Sequence, residues 1–421
     1  MGATFTYAVR YQVTAKCLTP LRTGRPDGDT EAVLRDGRGR AFLQGTSVAG
    51  ALRAWLAGAA PELAEGLMGS QRGAGRLIVS DARFGAKSEQ YTRPRLRLDP
   101  ATGASAAGGK FDVAHIGAGA RLKFSLTWLG GREHMDELET VEQMLAALHS
   151  GEIRFGAQTS NGFGRVTLSV TKRRFDMTDP EDRRAWLDDA DDGAELALPE
   201  VTHSRRVTFT VTGRADSILI RSSYVDQAGI GSCTPNLAEG GRPILPGSSV
   251  RGAVRARAEA IAKTVGLDEA RIRTLFGTST GNGDRCSPGQ VWFEDACLDG
   301  SKRKITRIHI NKFTGGVIRG GLFQEEPVSS RMTLRISAPD DPVACALILY
   351  ALRDLGMGLY NLGSGGAIGR GYVTVEKIEA AAPGGLRAQL AFDGPLSCTL
   401  KDEKGLVEKW MKEWGGAVRE N

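Results

Sequence analysis

No two cysteines of this 421-residue chain are spaced as CxxC. The six present, Cys17, Cys233, Cys286, Cys297, Cys345 and Cys398, share no repeating spacing with the five histidines, which argues against a structural zinc site and leaves free thiols as the expectation. Long apolar runs are also missing. The richest, "DPVACALILYALRDLG", is broken by charge well short of bilayer-spanning length, so no membrane partner is expected. The opening "MGATFTYAVRYQ" lacks the basic segment and apolar run of a signal peptide, and a cytoplasmic location is the expectation. What remains is an ordinary globular composition, long enough for two or three domains. Its formal charge of +6 permits a nucleic-acid partner without establishing one.

The chain repeats itself. "RAFLQGTSVAGALRAWLAG" from Arg40 answers to "RPILPGSSVRGAVRARAEA" from Arg242, and "LMGSQRGAGRLIVSDARF" from Leu67 to "LFGTSTGNGDRCSPGQVWFEDACL" from Leu275. "LRLDPATGAS" from Leu96 then matches "IHINKFTGGV" from Ile308, and "IRFGAQTSNGFGRVTLSV" from Ile153 matches "LYNLGSGGAIGRGYVTVEKI" from Leu359. Four correspondences in one order, offset by roughly 200 to 210 residues, indicate a tandem duplication. Between the halves "FDMTDPEDRRAWLDDADDGAELALPE" is acidic and lacks strand alternation, which reads as an exposed linker. The expected division is a first domain over 1–175, a linker over 176–202 and a second domain over 203–421. The tail from about Leu396 has apolar residues near helical spacing and predicts a helix packed on the second half. Each half interleaves two helices with about four strands, opening on "TFTYAVRYQVTAKC" or "RRVTFTVTG". That order predicts an α+β class: two tandem ferredoxin-like domains with helices on one sheet face.

The repeated elements carry the candidate chemistry. Thr46-Ser47 and Ser248-Ser249 stand where N-caps belong, ahead of apolar positions at helical spacing. A capped helix start after Gly45 or Gly247 offers backbone amides to a phosphate, and Arg53 and Arg255 occupy equivalent places in the first turns; a plain capped helix explains each start equally well taken alone. The later loops ending in Gly164-Arg165 and Gly369-Arg370 suit close backbone approach, either to phosphate or to a tight helix-to-strand connection. Neither is followed by Gly-Lys-Ser/Thr, which argues against a nucleotide cofactor.

Taken together, "LPGSSVRGAVR", "LFG" with its glycine loop and "EDA", "INKFTGG" and the late "GSGGAIGRG" resemble the repeat-associated mysterious protein (RAMP) superfamily over both halves. The chain is most similar to a fusion of two backbone subunits of type III CRISPR effector complexes. The resemblance implies ferredoxin-like palms stacked along a guide RNA, with Gly45, Thr46, Ser47, Arg53, Gly164, Arg165, Gly247, Ser248, Ser249, Arg251, Arg255, Gly369 and Arg370 on the RNA side. It also implies thumb hairpins that displace a nucleotide from the guide–target duplex, here the Arg- and Gly-rich insertions 87–111 and 301–327, and other effector subunits as partners. Gln44 replaces the family's usual Pro and Ala49 its usual basic residue, so the first half is expected to grip guide phosphate less firmly than the second, which keeps Arg251.

The resemblance further implies a cutting site, since several such subunits cut target RNA with an acidic residue on a loop about fifteen residues before the motif's Pro. That count from Gln44 reaches Asp29 in "GRPDGDTEAVLRD", with Asp27 as local rival; from Pro246 it reaches Gly231, with Asp226 the nearest carboxylate. Near the scissile phosphate Asp29 would either hold a divalent metal, Mg2+ by expectation, or orient the displaced nucleotide's 2′-hydroxyl for attack. As a bare sequence feature, "PDGD" is a turn. None of His115, His134, His149, His203 and His309 recurs in corresponding positions of the halves. Two other readings stay open: a structural RNA-binding subunit that does not cut, and a guide-precursor endonuclease, which the Ser-Ser helix start in both halves disfavours.

Overall fold

The structure, a computed structural model, describes residues 5–24, 32–98, 105–222, 225–227, 231–278, 287–394 and 396–419. It divides into two compact units. Unit 1 comprises Met1–Leu96, Gly108–Thr159 and Phe163–Ser204; unit 2 comprises Arg97–Ala107, Ser160–Gly162 and Arg205–Asn421.

The first half starts with β1 (Tyr7–Cys17), whose alternate residues Val9, Tyr11, Val13 and Ala15 are buried in the core. That period of two makes it a central strand with one covered face. There follow β2 (Phe42–Leu43), α1 (Gly45–Ala59), α2 (Pro61–Met68), β3 (Leu77–Val79) and β4 (Ala82–Phe84). Next come the hairpin strands β5 (Gln90–Leu98) and β6 (Ser105–Ile116), then β7 (Arg121–Gly130), α3 (Glu137–Ser150) and β8 (Val166–Asp176). The sheet runs β2-β4-β7-β1-β8, joined at its far edge by the short β9 (Ala194–Glu195). Its core order β4-β7-β1-β8 is the ferredoxin-like one, with Val48, Leu52 and Leu56 of α1 and most of α3 buried against one face. Between β8 and β9 the acidic stretch carries a helix, α4 (Pro180–Leu187), begun by Asp179, whose carboxylate accepts from the Glu181 amide.

The second half repeats this plan. β10 (Arg206–Ile218) is followed by β11 (Val225–Gln227), β12 (Gly231–Pro235), β13 (Ala238–Glu239), β14 (Arg242–Leu245), α5 (Gly247–Val265), α6 (Glu269–Phe276) and the short strands β15 (Trp292–Phe293), β16 (Ala296–Cys297) and β17 (Ser301–Lys302). A long hairpin, β18 (Ile305–Ile310) and β19 (Val317–Glu326), leads to β20 (Val328–Pro339), α7 (Pro342–Gly356) and β21 (Thr374–Ala382). The sheet order β15-β20-β10-β21 is again ferredoxin-like, extended by β22 (Leu386–Gly394) and β23 (Ser397–Lys401). The chain is thus α+β with two tandem ferredoxin-like domains.

The C-terminal tail corrects one expectation. Ser397–Lys401 is an edge strand, and the helix α8 (Leu406–Arg419) begins after it. Trp410, 1% exposed, then packs 5.8 Å from Phe209, and Trp414 packs 5.4 Å from Tyr350. No helix among the described residues is long and apolar enough to cross a membrane.

Candidate nucleic-acid interface

Both repeated helices start two or three residues earlier than their hydroxyl pairs suggest. The N-cap positions are Gln44 and Pro246, neither with a side-chain cap, and α1 and α5 open on Gly45 and Gly247. The cap comes from elsewhere: Asp81 Oδ1 accepts from the Gly45 amide at 2.8 Å, and Asp295 Oδ1 from the Gly247 amide at 2.7 Å. A carboxylate at this end complements the positive pole of the helix, which a neutral hydroxyl cannot do. Glycine is needed because a Cβ on Gly45 would lie 2.6 Å from the Val79 carbonyl oxygen, and one on Gly247 would overlap that of Phe293. The Ser47 and Val48 amides bond the Gln44 carbonyl, and Ser249 and Val250 that of Pro246. The amides of Thr46 and Ser248, with the hydroxyls beside them, take no part in these bonds, and donors of this kind at a helix N-terminus suit an anion. Asp295→Ala should destabilise the second unit by about 1 to 2 kcal/mol, the usual cost of losing a helix cap. Chemical denaturation measures it, and a change of only a few tenths would mean that the carboxylate does not hold the helix start.

Arg53 and Arg255 sit two turns into their helices rather than in the first turns. In unit 2, Arg255 Nη1 donates to the Gly277 carbonyl at 3.1 Å and its Nε to Glu259 at 2.7 Å, while Arg251 donates to the Phe276 carbonyl. Both arginines therefore brace α5 against the C-terminal carbonyls of α6, the negative pole of that helix. In unit 1 Ala49 stands at the position of Arg251. There the exposed Arg53 borders an open concavity of about 500 Å3 with Met68, Gly69, Ser70 and Gln71.

The late glycine loops correspond differently from their Gly-Arg endings. Gly156, Gly162 and Gly164 are left-handed, and so are Gly363, Gly369 and Gly371, at a constant offset of 207. Phe155 donates to the Gly164 carbonyl and Leu362 to that of Gly371, both at 2.9 Å. Gly164 therefore matches Gly371, not Gly369; Arg165 matches Tyr372, and Arg370 matches Phe163. The mismatch arises because Gly-x-Gly aligns with itself after a slip of two residues.

Arg370 is 6% exposed, and its Nη1 donates to Glu325 Oε2 at 2.7 Å. Glu325, 1% exposed at the base of the β18–β19 hairpin, also pairs with Arg221 at 3.2 Å and Arg307 at 3.6 Å. Burial pushes its carboxyl pKa up, but the bond from Arg370 and the charges of Arg370, Arg221 and Arg307 outweigh it and hold the group below its ordinary value. Phe163, at the matching place in the first loop, instead lies under the guanidinium groups of Arg93 at 5.3 Å and Arg95 at 5.5 Å, with the buried His115 ring 5.1 Å away. Arg165 is half-buried, its amide donating to Thr19 Oγ1 at 3.0 Å.

The insertion 301–327 holds the hairpin β18–β19, and the insertion 87–111 holds most of β5–β6, whose second strand runs on to Ile116. On the second, Ile308, Ile310, Val317 and Phe313 are 50%, 52%, 58% and 86% exposed. Asp27 and Asp29 lie outside the described residues. Asp226 falls in β11, its backbone opposite Ser232 of β12. Among the described residues no group of three or more His, Cys, Asp or Glu side chains converges as a metal cage would require.

Sequence reasoning missed Asp81, Asp295, Glu325 and Phe163. For the two aspartates a signal existed, since "SDA" and "EDA" recur at matching places. A family model described as the RAMP superfamily matches residues 14–167 and 233–374, one stretch within each repeat. No curated protein matches the chain.

Proposed function

The chain belongs to the RAMP superfamily, and on that premise we propose that it is a tandem backbone subunit of a type III CRISPR ribonucleoprotein, binding guide RNA and cleaving target RNA. The observation that carries this reading is the duplication itself. One helix start, one glycine loop and one hairpin occur twice on two ferredoxin-like units, so a single chain carries two copies of one binding surface. A subunit that accepts many guides must bind phosphate and 2′-hydroxyl groups rather than base edges. The Thr46 and Ser248 amides, their hydroxyls, and Arg53 suit such contacts, with other effector subunits as neighbours. The exposed Ile308, Ile310, Phe313 and Val317 suit a thumb, because apolar side chains wedge between bases at little desolvation cost.

Cleavage is assigned to Asp29, with Asp226 as its counterpart in the second half. A lone carboxylate fits a divalent metal, Mg2+ in this proposal, only if RNA oxygens and water complete the coordination. When bound, such an ion would stabilise charge on the phosphate undergoing attack. The role of Asp29 itself is to stand beside that phosphate.

RNA binding should weaken linearly on a log–log salt plot. Arg251→Ala with Arg255→Ala should flatten the slope by about 0.7 for each phosphate that is no longer neutralised. Because both residues also brace α6, the melting temperature is measured alongside. A destabilised variant with an unchanged slope would remove them from the RNA side.

A further inference from the structure

The face of the first sheet opposite α1 and α3 carries a charge pattern that the helix starts and glycine loops leave unused. On β1 the core takes Val9, Tyr11, Val13 and Ala15, so Arg10 and Lys16 project from the opposite face. The register sets Arg173 of β8 beside Arg10, Lys123 of β7 beside Thr14, and Arg121 beside Lys16. The central strands β1, β7 and β8 place these five cations and no carboxylate on that face. Phe175 of β8 lies on it too, fully buried yet outside the core cluster.

What buries Phe175 is the acidic stretch. Trp186 of α4 lies 5.3 Å from the Phe175 ring, and the Arg10 guanidinium stacks over Trp186 at 4.7 Å. Asp189 pairs with Arg10 at 2.7 Å, while Asp192 and Asp182 pair with Arg173 at 2.8 and 3.2 Å. Residues 176–200 hold ten acidic and two basic side chains. One ring set edge-to-face against a sheet phenylalanine and lying under an arginine guanidinium, flanked by carboxylates on each cation, occupies the place a base and its phosphates would take on a ferredoxin-like sheet.

We propose that this face is a second surface for single-stranded RNA, and that the segment 179–192 covers it as an intramolecular substitute for the strand. Asp189 is 86% exposed and Asp192 59%, so their ion pairs are screened and exchangeable. Lys16, Lys123 and Arg121 remain exposed beyond the covered end and offer a strand its first foothold. RNA entering there displaces Trp186 and the three aspartates in turn. The surface is separate from the helix starts and does not depend on the reading given to them.

The test uses the full chain and a labelled twelve-nucleotide oligouridylate. Asp182→Asn/Asp189→Asn/Asp192→Asn should tighten binding at least fivefold beyond the charge-matched control Glu403→Gln/Glu408→Gln/Glu413→Gln. Adding Arg10→Ala/Arg173→Ala should reverse the gain. Equal effects of strap and control variants would overturn the proposal. So would an equal gain for polyglutamate, which would make the surface one for acidic peptides. Should the variants fold poorly, the wild-type chain decides: oligouridylate should speed tryptic cleavage after Arg183 and Arg184, and slowed or unchanged cleavage would refute displacement. If the wild type binds RNA but the strap variant gains nothing, only this inference fails. If only the strap variant binds, this inference stands and the backbone-subunit reading fails.

Discussion

Glu325→Ala should cost the second unit about 3 to 5 kcal/mol, because it leaves the buried guanidinium of Arg370 without its counter-charge. Arg221 and Arg307 are more exposed and recover hydration when the carboxylate goes, so most of the penalty falls on Arg370. A second substitution, Arg370→Met, should recover most of the loss, since a buried ion pair replaced by apolar groups of similar volume is often neutral or better. The acid response follows from the depressed carboxyl. Its stabilising contribution is complete above the unfolded value near 4.5 and is lost as pH falls through the lower folded value. Glu325→Gln should therefore flatten the fall in stability below about pH 4.5. Denaturant melts of the three variants across pH measure all of this. A loss under 1 kcal/mol, or no recovery in the double variant, would show that the cluster does not hold the hairpin base to the glycine loop.

Asp29→Ala should abolish target-RNA cleavage at the first half's position while changing duplex affinity by less than about tenfold, roughly 1.4 kcal/mol, because the residue is assigned to chemistry and not to grip. Asp226→Ala should remove a separately placed cut only if the second half is active. Its carboxylate does not stand at the counted position, so a slow cut or none is expected there. End-labelled target with divalent metal reports each product. If Asp27→Ala removes the band and Asp29→Ala does not, the neighbouring acid is the right one. If no variant alters any band, the chain is a structural subunit and the cutting reading fails.

The repeat and the order of core elements were legible because each rests on local pattern, whereas the two hairpins were reached only through the family resemblance. Strand alternation in β1 and β10 and the four-residue spacing of Val250, Val254, Ala258 and Ala262 in α5 can be read within a few residues. The helix caps were not, because Asp81 lies 36 residues from Gly45 and Asp295 lies 48 from Gly247. Hydroxyls next to the helix start were the nearer candidates, and tertiary structure supplied stronger ones. The slip in the glycine loops came from a motif that matches itself after two residues, which only the Phe155–Gly164 and Leu362–Gly371 hydrogen bonds resolve. β23 was missed because it is a largely exposed edge strand, so burial imprints no clean alternation on it. Glu325 had no local signal, since its partners come from three separate segments.

The most direct test of the central claim is a titration of the full chain with three single-stranded RNAs of unrelated sequence across a salt series. The account predicts dissociation constants that agree within a few-fold at each salt concentration and rise linearly with salt on a log–log plot, as binding to several phosphates requires. Tight binding of one sequence alone, an affinity indifferent to salt, or no binding to any of the three would contradict it.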